Sequence, residues 1–383
     1  MSLTGKIYLD HNATTPVDQR VVEAMLPYFC EVYGNPSSIS HAYGWDAEEA
    51  VSMAREQVAG LIGAKPGEVY FTSGATESIN LALQGICLRK KPSHLITCRT
   101  EHRAVLDTCQ ALEEHGAKVT YLDVDRSGRI DLQQIWEAIR PETVMVCLMH
   151  ANNETGVIHP LREVADLIKN KGILLMTDAT QSVGKIPFKV GDLGVDLAAF
   201  SAHKLYGPKG VGGLFVSQAL RPEIRPLQFG GGQEKGLRPG TLNVPGIVGL
   251  GKACEICGEE MAREGERLKK LVDLLEDELS QTVKVSINGQ DCRRLPHMTN
   301  LSFENIDGSR LIRSLKRLGV SQGSACTSAT IHASHVLKAM GHTDELALSS
   351  LRIGLGRQTT EEEVKVACTD IKESIQKLTL TAI

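Results

Sequence analysis

Ala198-Ala199-Phe200-Ser201-Ala202-His203-Lys204-Leu205-Tyr206-Gly207-Pro208-Lys209-Gly210 is the stretch from which the fold is read. An apolar run that closes at Phe200 predicts a buried strand, and it delivers Ser201, His203 and Lys204 to the strand's exit ahead of a Gly/Pro turn. In open α/β sheets that exit is where ligands bind. A lysine there is costly as a bare ammonium, because it loses hydration. Two readings follow. Either Lys204 snorkels from the sheet rim, or its amine forms a Schiff base with an aldehyde cofactor. The second needs partners elsewhere in the chain.

With 383 residues, 42% of them hydrophobic, the chain can bury a large core and is long enough for two domains. A net charge of −4, from 42 basic and 46 acidic residues, provides no basic stripe for nucleic acid. No apolar run reaches the ~20 residues of a membrane span, and Met1 to Asp10 lacks a signal-peptide core, so a cytoplasmic protein is expected. The 10 cysteines are scattered as reduced residues would be and form no disulfide framework.

Working outward, further apolar runs end in polar residues at turns. Val69-Tyr70-Phe71-Thr72 breaks at Ser73-Gly74-Ala75-Thr76-Glu77-Ser78 and opens a helix, whose free N–H groups form an anion site. His94-Leu95-Ile96-Thr97-Cys98 runs out to Glu101-His102, and Val144 to Met149 ends in His150-Ala151-Asn152-Asn153-Glu154. Ile173-Leu174-Leu175-Met176 ends in Thr177-Asp178-Ala179-Thr180-Gln181. Strands separated by helical stretches predict a largely parallel sheet covered on both faces. Such a sheet gathers Thr76, His102, Asn153, Asp178, Gln181, Ser201, His203 and Lys204 at one edge. Asp10-His11 could suggest a metal pair, but further spaced ligands are lacking and no metal site is expected.

An Asp that keeps a pyridine nitrogen protonated, a Lys that bonds an aldehyde and a helix N-terminus that takes a phosphate are what pyridoxal 5′-phosphate (PLP) requires. Asp178, Lys204 and the turn at Thr76 supply those groups. The chain resembles the NifS/IscS-like cysteine desulfurases, which belong to the class V aminotransferase-like PLP enzymes of fold type I. The resemblance is carried by Tyr8 to Pro16, Gly34-Asn35-Pro36-Ser37-Ser38, Phe71 to Ser78, Asn152-Asn153-Glu154, Asp178-Ala179-Thr180-Gln181, Ser201-Ala202-His203-Lys204, Gly323-Ser324-Ala325-Cys326 and Leu351-Arg352. These motifs cover nearly the whole chain in family order.

The resemblance implies an α/β fold with a large PLP-binding domain, residues 16–255, on a mainly parallel seven-stranded sheet. It implies a smaller α/β domain from residues 1–15 and 256–383 that carries a catalytic-cysteine loop. Lys204 would bond the cofactor aldehyde, Asp178 its ring nitrogen and Gln181 its ring hydroxyl. His102 would stack on the ring and assist proton transfer. Ala75, Thr76, Ser201 and His203 would hold the phosphate. Asn153 and Arg352 would bind the substrate carboxylate, with Asn35 lining the pocket. Gly230 to Thr241 reads locally as a Gly-rich loop. The resemblance implies that Thr241 crosses a homodimer interface to the partner's cofactor phosphate.

Ser321 to Ala329 is a run of small and polar residues that predicts a mobile backbone, with Cys326 an accessible thiol. In the resembling enzymes the matching thiolate attacks the sulfur of L-cysteine, becomes a persulfide and leaves alanine. Cys254-Glu255-Ile256-Cys257 lies within a long helical pattern from Val248 to Leu279 and reads as structural. Ile331 to Leu337 keeps the family's Ser-His-Val-Leu but lacks the Glu-Pro of many relatives, and 31 residues follow Arg352 (383 − 352), without the long tail that docks an iron–sulfur scaffold. Iron–sulfur assembly, tRNA thiolation and DNA phosphorothioation therefore all stay open as destinations for the sulfur. A selenocysteine lyase or another class V aminotransferase is the alternative activity; a noncatalytic metal- or scaffold-binding protein is disfavoured by the Asp178/Lys204 pair.

Overall fold

The structure is a computed structural model that describes residues 5–323 and 332–380. Its strands are β1 (Ile7–Tyr8), β2 (Val69–Thr72), β3 (His94–Cys98), β4 (Lys118–Leu122), β5 (Thr143–Cys147), β6 (Leu174–Asp178), β7 (Leu197–Ser201), β8 (Gly212–Val216), β9 (Val285–Ile287), β10 (Met298–Phe303), β11 (Leu318–Gly319) and β12 (Ser350–Gly354). Seven of them form the central sheet in the order β2-β8-β7-β6-β5-β3-β4. β8 runs antiparallel to both of its neighbours, and the other pairings are parallel.

The sheet has this form because all its strands except the edge strand β4 are largely buried. Every residue of β2, β3, β6, β7 and β8 is buried. Such strands need cover on both faces, which the intervening helices provide. On one face Phe71, Val146, Ala198 and Phe200 meet α1 (Ala42–Ile62) and the first half of the long helix Val244–Ser280. On the other, Tyr70, Leu95, Met145 and Met176 meet α2 (Ala75–Cys87) and α3 (Arg103–Glu114).

Strand β8 is the element that the apolar pattern did not announce. Two glycines open it, and both are there because neighbours come too close for a side chain. A Cβ on Gly213 would lie 2.3 Å from the Phe200 ring, and one on Gly212 would lie 2.6 Å from both the Gly74 Cα and the Phe200 carbonyl oxygen. The close approach of Gly212 lets the turn before α2 sit directly against the end of β7.

A second, smaller core joins Ile7 and Leu9 to Leu268, Leu275, Leu301, Phe303, Leu351, Ile353 and Ile371. Here β10 pairs with β12 and β9, and β1 runs parallel to β11. The helix Val244–Ser280 contributes Ala253 and Ile256 to the large core and Leu268 to Leu279 to the small one, so one continuous rod spans both. The helix Gly308–Ser314 packs on this core, and the chain then extends into β11. Cys254 and Cys257 are buried on the large-core side of that rod. No helix among the described residues is long and apolar enough to cross a membrane.

Candidate active site

The strand ends converge on a cavity of about 500 Å³. Ala75, Thr76, His102, Asn153, Asp178, Gln181, Ser201, His203, Lys204 and Arg352 all line it. Asn35 and Thr241 do not; each is exposed on this single chain. Cys326 lies outside the described residues.

Asp178 is the last residue of β6, and β6 pairs with β7 so that Asp178 stands opposite Ala199. Lys204 follows three residues after the end of β7, in the turn Ala202–Lys204. Adjacent parallel strands thus present a carboxylate and an amine to one cavity. Asp178 is 7% exposed, and its Oδ1 accepts the Thr180 N–H at 2.9 Å. Lys204 Nζ donates to the carbonyls of Asn12 and Ala13, each at 2.6 Å. Those carbonyls solvate a half-buried ammonium and aim it.

The segment Asp10 to Thr15 is stapled to the turn that carries Lys204. Thr15 N–H and Thr15 Oγ1 both donate to the His203 carbonyl, and Tyr206 N–H donates to Thr15 Oγ1. Gln181 Nε2 donates to the Asn12 carbonyl at 3.0 Å while Asn12 Nδ2 donates to Gln181 Oε1 at 3.3 Å. Asn12 was quoted in the sequence only as part of a motif. Its placement against two cavity residues 169 and 192 positions away is a tertiary result.

His102 caps α3, and its Nδ1 accepts the Ala104 N–H at 3.1 Å. That bond fixes the neutral tautomer with its proton on Nε2. Burial lowers the His102 pKa, against the opposing pull of the Asp178 carboxylate. His203 is held to about 4 by burial and by the charges of Lys204 and Lys209, and its Nδ1 lies 3.1 Å from Thr14 Oγ1. Both imidazoles are therefore neutral at pH 7. Beside His102, Glu101 is wholly buried; burial pushes its pKa well up, and its Oε1 accepts the Met149 N–H at 2.7 Å.

At the opposite end, Gly74 adopts φ 155°, a backbone state that side chains disfavour, and α2 starts at Ala75. The N–H groups of the first turn have no partners within the helix, and Ser201 and His203 stand beside them on the cavity wall. Glu77 in that turn accepts the Ser73 N–H at 2.7 Å and Arg238 Nε at 3.0 Å, which offsets its charge beside the helix N-terminus.

The donor set fits PLP. An amine, a carboxylate, an amide, neutral imidazoles and a helix N-terminus line one cavity, and three wall residues carry buried groups that lack protein partners, Asn12 Oδ1, Thr180 Oγ1 and Arg352 Nε. Such groups are costly unless a ligand or water meets them.

The aminotransferase class-V family model matches residues 7–366, and the chain belongs to that family. Within it, the chain is 52% identical over 375 residues to the cysteine desulfurase IscS of Anaeromyxobacter sp. strain Fw109-5, covering 97% of this chain and 93% of that protein. Among solved structures, a NifS-like protein superposes with a TM-score of 0.91 at 41% identity, covering 97% of this chain and 100% of the other. SspA in complex with cysteine superposes with a TM-score of 0.81 at 38% identity, covering 91% and 98% of the two chains.

Proposed function

We propose that the protein is a PLP-dependent cysteine desulfurase that converts L-cysteine to L-alanine and carries the sulfur away as a persulfide on Cys326. The observation that carries this reading is the pairing of Asp178 and Lys204 at the ends of adjacent parallel strands, on one cavity. The desulfurase name of the 52% identical relative and the cysteine bound to a structural neighbour support the same substrate.

When bound, PLP supplies an electron sink that labilises bonds at the substrate α- and β-carbons. The residues do the rest. Lys204 would hold the aldehyde. Asp178 would keep the ring nitrogen protonated, and Gln181 would orient the ring hydroxyl. Ala75, Thr76, Ser201 and His203 would hold the phosphate at the N-terminus of α2. His102, neutral with its proton on Nε2, would stack on the ring and assist proton transfer. Asn153 and Arg352 would orient the substrate carboxylate, and Asn35, which does not line the cavity of this single chain, is assigned to the substrate pocket. The Cys326 thiolate attacks the substrate sulfur; an S–S bond forms, the C–S bond breaks, and its electron pair remains with the carbon skeleton that leaves as alanine.

A homodimer is part of this proposal. Leu26, Phe29, Tyr33, Ile39, Tyr43 and Trp45 expose large apolar side chains within one short stretch, which suits a protein interface. Thr241, exposed and away from this chain's cavity, is free to reach a partner's phosphate site. The proposed division at 255/256 falls inside the helix Val244–Ser280, which would then be the rod on which the domains are hung. A sulfur-acceptor protein completes the reaction, and a reducing compartment, the cytoplasm, keeps Cys326 competent.

The test is an absorbance spectrum of the purified protein, then L-cysteine turnover with alanine and sulfide measured together. A band near ~400 nm that borohydride traps on Lys204 is expected, with sulfur transfer lost in Cys326→Ser while the band remains. A band with undiminished sulfur release in Cys326→Ser would move the reading to a selenocysteine lyase or an aminotransferase. A folded protein that takes up no PLP would overturn it.

A further inference from the structure

The guanidinium proposed to meet the substrate carboxylate does not stand alone. Arg352 is 1% exposed, and its NH2 group donates to Asp10 Oδ1 at 2.8 Å. Its NH1 group donates to the Asn153 carbonyl at 3.1 Å, while its Nε is buried without a protein partner. Asp10 uses its second oxygen as well: Oδ2 accepts the Ser321 hydroxyl at 2.6 Å.

The backbone fixes the same three residues. Asp10 bridges Gly354 in parallel just after β1, and Ser321 bridges Arg352 in an antiparallel sense. Arg352 N–H donates to the Ser321 carbonyl at 2.6 Å and Ser321 N–H to the Arg352 carbonyl at 3.3 Å. Asp10 therefore sits at the apex of a triangle whose other corners are already locked, with both carboxylate oxygens occupied. Its contact takes one edge of the guanidinium of a residue that lines the cavity, and Nε stays buried without a protein partner.

We propose that Asp10 is a positioning residue for substrate binding: through Arg352, and itself held by Ser321, it sets the plane in which the guanidinium meets the carboxylate of an α-amino acid. The proposal rests on the reading of Arg352 as the carboxylate-binding residue. A guanidinium gripped on one edge offers its remaining N–H groups in a fixed direction, so less orientation is lost on binding. The Asp10 charge also offsets that of Arg352, which otherwise stands almost fully buried beside only a carbonyl.

L-Alanine tests this on the holoenzyme without any need for Cys326, because it has the carboxylate and amine of the substrate and lacks the thiol. Its Kd is read from the change in cofactor absorbance, alongside KM and kcat for L-cysteine. Asp10→Ala is expected to raise the alanine Kd and the cysteine KM about tenfold, the loss of one charge-assisted bond, with kcat changed far less. Asp10→Asn can still accept from Arg352 and now donate to Ser321 Oγ, and it is expected to restore both constants to within about threefold of the parent. Ser321→Ala, which frees one side of Asp10, is expected to weaken alanine binding by about threefold, and it carries the test if Asp10→Ala does not fold. Unchanged alanine affinity in Asp10→Ala, or in a folded Ser321→Ala alone, overturns the proposal, as does an Asp10→Asn as impaired as Asp10→Ala. Arg352→Ala separates the two readings. If it leaves alanine binding intact, Arg352 is not the carboxylate site; if it abolishes binding while Asp10→Ala does not affect it, only the role of Asp10 fails.

Discussion

Asn12 and Gln181 clasp each other through two hydrogen bonds, from Gln181 Nε2 to the Asn12 carbonyl at 3.0 Å and from Asn12 Nδ2 to Gln181 Oε1 at 3.3 Å. The same Asn12 carbonyl accepts Lys204 Nζ at 2.6 Å. One residue of the N-terminal segment thus sets both the amide assigned to the ring hydroxyl and the amine assigned to the aldehyde. Asn12→Ala keeps the carbonyl and removes the amide donor. A hydrogen bond of this kind contributes about 1 kcal/mol, so the PLP Kd is expected to rise about fivefold. Equilibrium titration of the apoenzyme with PLP measures it, and an unchanged Kd would remove Asn12 from the site.

Gly212 is fixed by backbone on both sides. An added methyl would sit 2.6 Å from the Gly74 Cα and from the Phe200 carbonyl oxygen, neither of which can rotate away. Gly212→Ala is expected to displace the Gly74 turn, weakening PLP binding by more than about tenfold and lowering stability by about 1–3 kcal/mol. Gly60→Ala is the control, since nothing lies within 4 Å of its Cβ position. Paired PLP titrations and urea melts compare the two.

The Gly-rich stretch is anchored by an ion pair between a buried carboxylate and a half-buried guanidinium. Arg55 donates to Glu234 through NH2 at 2.6 Å and NH1 at 2.9 Å, and the Phe71 N–H donates to Glu234 Oε2 at 2.8 Å. Glu234 and Lys235 are both held at positive φ, 48° and 56°, a state that side chains disfavour and that these contacts must hold. Removing one partner of such a pair costs about 3 kcal/mol, so Glu234→Ala is expected to lose roughly that in a urea melt. Because Arg238 and Thr241 lie on the same stretch, PLP affinity should fall with it.

Burial depresses several histidines. His11, His94, His150, His159 and His203 are each lowered from 6.5 to about 4, with burial the largest cause. Their folded pKa lies below the unfolded one, so the unfolded chain takes up the protons first. Their contribution is complete above about 6.5 and is lost as the pH falls through about 4. His159 has no hydrogen-bond partner at either ring nitrogen, so His159→Leu removes that proton site without breaking a bond. Urea midpoints measured from pH 7 down to pH 4.5 are expected to fall less steeply in His159→Leu than in the parent.

Much of this site can be read along the chain because its residues fall at strand ends. Asp178 closes one apolar run and Lys204 follows another, and the burial that makes those runs legible also makes them neighbours in the sheet. The turn at Gly74 to Thr76 is legible for the same reason. Strand β8 was missed because Gly212 and Gly213 weaken the apolar signal, and they are glycines only because of what lies across from them. The pairing of Asp10 with Arg352 spans 342 positions and leaves no periodic trace, since a polar residue in a turn reads the same whether it faces solvent or a guanidinium.

The order of apolar strands and helices, and with it which polar residues stand at one edge of a sheet, is written in local residue patterns, because periodicity and turn chemistry act over a few neighbouring residues. That the N-terminal segment clasps Lys204 and Gln181 emerges from the packed fold. It alone shows that Arg352 is gripped by Asp10, and that Thr241 does not line its own chain's cavity. Those relations depend on how two separate cores come together around one long helix, and packing over hundreds of residues has no local signature.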